Sequence, residues 1–96
     1  MAGSLIFSKY RDVGTDGDGT IYGGPCRLRH LTVNTEASGT PAIVLKDGGA
    51  SGTVRLQLDL QTSDTFSVNI PDDGIRFDTD LYIDETALDS VTVFLS

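Results

Sequence analysis

The side chains best able to do chemistry in this chain are carboxylates, and two groups of them stand out. The first is Asp16-Gly17-Asp18-Gly19, acids and glycines in the mixture that hard cations favour. A helical calcium loop also needs a Gly at its sixth position, a closing Glu at its twelfth and a helix on either side. Counted from Asp16, the twelfth position is Arg27, which has the wrong charge. Asp16 and Asp18 are therefore read as turn residues, and no metal ligand is assigned. The same glycines do not suit a phosphate, because no helix follows them and both carboxylates repel an anion.

The second group comprises Asp72, Asp73, Asp78, Asp80, Asp84 and Glu85. Paired carboxylates can act as acid and base in glycoside hydrolysis when they face each other across a cleft. Here they fall in turns and on the solvent side of one strand, so a solvated rim is expected. His30, the one histidine, has no second His for a metal pair. Cys26 lies four residues before it, which in an unbroken strand shares its face at a distance of roughly 13 Å. That separation excludes a Cys-His nucleophilic pair and leaves Cys26 as a small core filler. Arg27 and Arg29 form a local basic patch that either meets an acidic partner surface or pairs internally. No catalytic, cofactor-binding or metal-binding residue is assigned.

The elements that must carry these residues read as strands. Thr53–Leu60 is the clearest, with Val54, Leu56, Leu58 and Leu60 alternating with Arg55, Gln57 and Asp59. A period of two sends the first set to a core and the second to solvent, so this stretch is expected to organise the fold. Ser4–Asp12 reads as a first strand with apolar groups on both faces near its start. A Gly- and Asp-rich loop (13–20) follows it.

Cys26–Thr35 is a strand whose phase requires a one-residue bulge between Leu28 and Leu31 to bring both leucines to one face. Ala42–Lys46 and Thr53–Leu60 form a hairpin around a flexible connector (47–52). Thr65–Ile70 follows with Phe66, Val68 and Ile70 inward, then the turn Pro71-Asp72-Asp73-Gly74. Ile75–Glu85 keeps Ile75, Phe77, Thr79, Leu81 and Ile83 in one phase and bends at 78–80 into two strands. Thr86–Asp89 is expected to make a short turn, with room for one turn of helix, before Val91–Leu95 closes the chain. Seven to eight short strands without helical periodicity predict an all-β protein, an antiparallel β-sandwich of jelly-roll type.

A chain of 96 residues is expected to form one domain, 1–96, with a single thin core. It has four Phe, three Tyr and no Trp, too little for a core plus a deep cavity. Seven Lys and Arg against fourteen Asp and Glu give a charge of −7. That balance opposes binding to nucleic acid or to an anionic membrane. One cysteine excludes an internal disulfide, and Leu5-Ile6-Phe7 is too short for a secretory core or a membrane span. Synthesis in the cytoplasm without standard export is expected.

Several phrases in order carry a resemblance. They are Gly24-Pro25-Cys26-Arg27-Leu28-Arg29-His30-Leu31-Thr32-Val33-Asn34, then Leu45-Lys46-Asp47-Gly48, then Ile70-Pro71-Asp72-Asp73-Gly74-Ile75-Arg76-Phe77-Asp78-Thr79-Asp80-Leu81-Tyr82, and finally Ser90-Val91-Thr92-Val93-Phe94. From Pro25 onward the chain resembles a group of small tailed-bacteriophage virion proteins. The resemblance implies a β-sandwich structural component, a capsid cement or decoration protein in the virion, built in the host cytoplasm. It implies partners that are copies of itself, often as a homotrimer, and the major capsid or other virion proteins. No enzyme activity, cofactor, nucleic acid or membrane is implied. A head-tail or tail accessory protein is a variant of the same reading. The runner-up is a carbohydrate-binding module stacking sugars on Tyr10, Tyr22 and Tyr82, and a small hydrolase comes third.

Overall fold

Alternation of β-branched and leucine side chains becomes strand almost wherever it occurs, because such residues fit a pleated, half-buried surface. A computed structural model describes residues 6–96. Along them run β1 (Phe7–Arg11), α1 (Val13–Asp16), β2 (Gly19–Tyr22), β3 (Cys26–Thr35) and β4 (Ala42–Asp47). Then come β5 (Thr53–Asp59), β6 (Thr65–Asn69), β7 (Ile75–Phe77), β8 (Leu81–Thr86) and β9 (Leu88–Leu95). Among the described residues nine strands stand where seven to eight are expected. The expected first strand is described from Phe7 onward, and its first residues, Ser4 and Leu5, lie outside the described residues.

The strands form two antiparallel sheets, one ordered β1-β9-β3-β6 with β7 also on β3, the other β2-β8-β4-β5. The ladders are nested: β1 pairs β9, β2 pairs β8, β3 pairs β6 and β7, and β4 pairs β5. This is one long hairpin, its tip between β4 and β5, rolled so that β3 bonds β9 and β4 bonds β8. Such a doubled Greek key is the jelly roll.

The core lies between the sheets. Leu28, Leu31, Val33, Val91, Val93, Leu95 and Phe77 face Ile43, Leu45, Leu81 and Ile83, each fully buried. A side chain of this size contributes about 1.5–3 kcal/mol on burial. The β3–β9 register shifts between Leu28 and His30, so Leu28 and Leu31 both point inward, as the bulge predicted. Arg29 and His30, at the shift, are both only partly buried and face away from that core.

Three local expectations are corrected. β5 is the outer strand of the four-stranded sheet, with Val54 49% exposed and Leu56 and Leu58 only half-buried. An edge strand has a neighbour on one side alone, so clean alternation does not make it central. The organising strands are β3 and β9, which pair along most of their length.

The second correction concerns the loop (13–20), which holds one turn of helix, Val13–Asp16. Asp12 caps it by accepting from the Thr15 N–H at 3.3 Å, and Val13 plugs one end of the core. The short turn expected at 86–89 does form, without a turn of helix: Ala87, at φ 55°, reverses the chain between β8 and β9. Thirdly, Thr79 is exposed rather than inward, because the predicted bend at 78–80 takes it out of the strand phase.

Gly74 has a structural reason to be glycine. Its φ is +78°, and a Cβ there would collide with the carbonyl oxygen of Leu28. The turn at 71–74 thereby lets β6 and β7 lie end to end along β3.

Candidate interaction surface

The sequence-predicted acids are brought together in two places, and both are structural. Asp47, expected in a flexible connector, ends β4 as a buried carboxylate. It accepts from the backbone N–H groups of Asp78 and Thr79, both at 2.8 Å, and from Arg55 Nη2 at 3.1 Å. Asp80 reciprocates, its Oδ1 accepting from the N–H groups of Gly48 and Gly49 at 2.9 and 3.1 Å. The two loops at this end thus hold each other. The backbone donors, with Arg55 behind them, lower the Asp47 pKa to about 2.

Asp78 also pairs with Arg76 and Arg55, and Asp84 with Lys46 at 3.3 Å. The solvated rim is therefore a partly bonded one, in which Asp72 and Asp73 are exposed as expected.

The Asp16–Gly19 segment is tied down by a cation that belongs to the chain. Arg11 donates to the carbonyl oxygens of Gly17, Asp16 and Asp18 at 2.9, 3.2 and 3.0 Å. Asp18 Oδ1 accepts from the Glu85 N–H at 2.8 Å, fixing the loop to β8. Burial raises the pKa of Glu85, which accepts from the Leu88 N–H.

Cys26 and His30 are separated by the bulge rather than by distance alone. Cys26 points into the core at 6% exposure, and burial, aided by the charges of Asp47 and Asp80, pushes its thiol up to about 11. A neutral, enclosed thiol is a weak nucleophile. His30 lies on the opposite face, its ring 5.4 Å from that of Phe94 and edge-on to it.

That opposite face, the outer side of the five-stranded sheet, is the most distinctive surface of the molecule. Hydrogen bonds between side chains knit it across the strands. Asn34 bonds Ser90 at 2.8 Å and Thr65 at 2.7 Å, while the Thr32 and Ser67 hydroxyls meet at 3.0 Å. Beside this polar patch opens a groove of about 570 Å³ with Ile6, Ile70 and Phe94 as apolar lining and Arg29, His30, Asn69 and Asp72 as polar lining. Arg27 projects from the same strand two residues before Arg29, opposite Arg76 on β7. Among the described residues no ion pair involves Arg27 or Arg29.

The groove was not legible as a site beforehand. Its signal was the break in alternation at Arg29-His30, which marks residues freed from the core.

The three tyrosines do not converge. Tyr10 is 66% exposed and sits opposite Thr92 on the outer face of the five-stranded sheet. Tyr22 stacks on Phe7 at 5.3 Å, under Lys9. Tyr82 is on β8, between the buried Leu81 and Ile83 and so directed away from the core. They make no common sugar platform. No protein-family model, curated protein or solved structure matches the chain.

Proposed function

We propose that the protein is a structural component of a tailed-phage virion, a capsid cement or decoration protein that works by binding copies of itself and shell subunits. The observation that carries this reading is the outer edge of the five-stranded sheet. There β1 has no strand on its far side among the described residues and carries the exposed side chains of Ile6 (53%), Phe7 (37%) and Tyr10 (66%). Exposed apolar groups along an open strand edge are what association covers. The jelly-roll fold suits the role, since it recurs in viral shells, but the same fold also serves lectins and so supports the class by analogy alone. Phrases such as Ile70-Pro71-Asp72-Asp73-Gly74-Ile75 and Ser90-Val91-Thr92-Val93-Phe94 add the resemblance to virion proteins.

The decisive experiment mixes the purified protein with phage capsids that lack it. Saturable co-sedimentation, with a capsid that withstands more heat, is the expected result. A stable monomer that ignores such capsids would reject the reading. The glycan-binding alternative predicts instead that glycan-array signals disappear in Tyr10→Ala.

A further inference from the structure

The charges are sorted by the two ends of the rolled hairpin. At one end lie the β1–β2, β3–β4, β5–β6 and β8–β9 connections. The first holds Asp12, Asp16 and Asp18, and the second Glu36. Asp59 and Asp64 flank the third, Glu85 and Asp89 the fourth. Against these eight carboxylates stands one cation, Arg11, already bonded to backbone carbonyls. This end therefore carries a charge of −7, while Lys9 in the middle of β1 offsets the single excess acid of the other end. The other end carries six acids against Arg27, Arg29, Lys46, Arg55 and Arg76, close to neutrality; there Asp47, Asp78 and Asp84 pair with Lys46, Arg55 and Arg76, and among the described residues Arg27 and Arg29 make no ion pair.

The groove with Arg29 and His30 opens on the outer face of the five-stranded sheet toward this second end. Along β3, Arg29 and Glu36 are seven residues apart, about 23 Å. That is more than two Debye lengths of about 8 Å at physiological salt. Within one molecule the acidic end cannot neutralise the arginines, whereas a second molecule can bring its acidic loops directly onto them.

We propose that this groove is the docking surface for the acidic loop end of a second copy, so that copies associate head to tail. Arg29 in the groove and Arg27 beside it on β3 supply the charge partners, and Ile6, Ile70 and Phe94 supply an apolar floor. Asp72, the carboxylate among the lining residues, stands at the rim and disfavours a second acid beside it. An arrangement placing two acidic ends together is opposed by repulsion, which selects the heterologous contact over that two-fold one. Such a contact closes into a ring when its rotation permits.

The inference rests on the reading of the protein as an assembling subunit, and the two can fail separately. Sedimentation velocity of the wild-type chain is expected to show oligomers whose dissociation constant weakens on the order of tenfold between low and high salt. Arg27→Glu with Arg29→Glu should give monomers, and so should Asp16→Lys, Asp59→Lys, Asp64→Lys and Asp89→Lys combined. Mixing the two variants should restore oligomers, because each then offers the surface the other lacks. That recovery is something a merely misfolded variant does not produce.

A salt-insensitive oligomer, one untouched by either set of reversals, or a mixture that stays monomeric overturns the proposal. So does a wild-type monomer under all conditions, and if that monomer still binds capsids the virion reading survives alone. Charge-ruled oligomers that ignore capsids leave this inference standing and remove the virion reading.

Discussion

Asp47 shows how a single carboxylate is made indispensable by backbone donors rather than by a catalytic partner. Its folded pKa of about 2 lies below the ordinary value of 3.8, so the folded state binds its proton less readily than the unfolded one. The stability this contributes is complete above about pH 4 and is lost as the pH falls toward 2. Asp47→Asn should therefore melt at a lower temperature at neutral pH, because the Arg55 pairing and the charge-assisted bonds go. It should also show a flatter loss of stability between about pH 4 and pH 2 than the wild type, as thermal melts across that range would show. The sequence around it, Asp47-Gly48-Gly49, is turn chemistry. Nothing there discloses that the carboxylate reaches across to residues 78–80, since the contact is made only when the hairpin tip meets the β7–β8 bend.

At the scale of the element, the contrast between β5 and β3 carries the lesson. β5 has the cleaner alternation, yet Val54 is 49% exposed, while β3 has a broken phase and buries Leu28, Leu31 and Val33 completely. Leu31→Ala should cost about 2–5 kcal/mol, the range for opening a cavity in a packed core. Val54→Thr should change stability by no more than about 0.5 kcal/mol. Denaturant melts of the two variants measure both. Strand existence was readable because period-two patterning reports one buried face. Strand position was not, because a half-buried edge and a buried centre obey the same period. The bulge in β3 was readable for the opposite reason, since Leu28 and Leu31 share a face only if one residue is extruded between them. Arg29 and His30, at that extrusion, line the groove, and reading this required knowing that Asn69, Ile70 and Phe94 from elsewhere in the chain surround them.

For the whole molecule, the nested ladders mean that the outermost pair, Phe7 opposite Leu95, joins residues from opposite ends of the chain. Closing such distant pairings costs loop entropy before any contact is gained, so refolding should occupy milliseconds to seconds rather than microseconds. Stopped-flow mixing from denaturant checks this. The Ser96 N–H donates to the Arg27 carbonyl at 3.0 Å, so the final residue is held on β3 close to where β1 begins. In a chain shortened to residues 6–96, a short peptide bridge from Ser96 to Ile6 could therefore close a covalent circle without bending the sandwich. Because a circle has fewer shapes available when denatured, it should withstand heat better than the open form. A passenger joined to that shortened chain at Ile6 or at Ser96 would hang from one and the same corner of the five-stranded sheet.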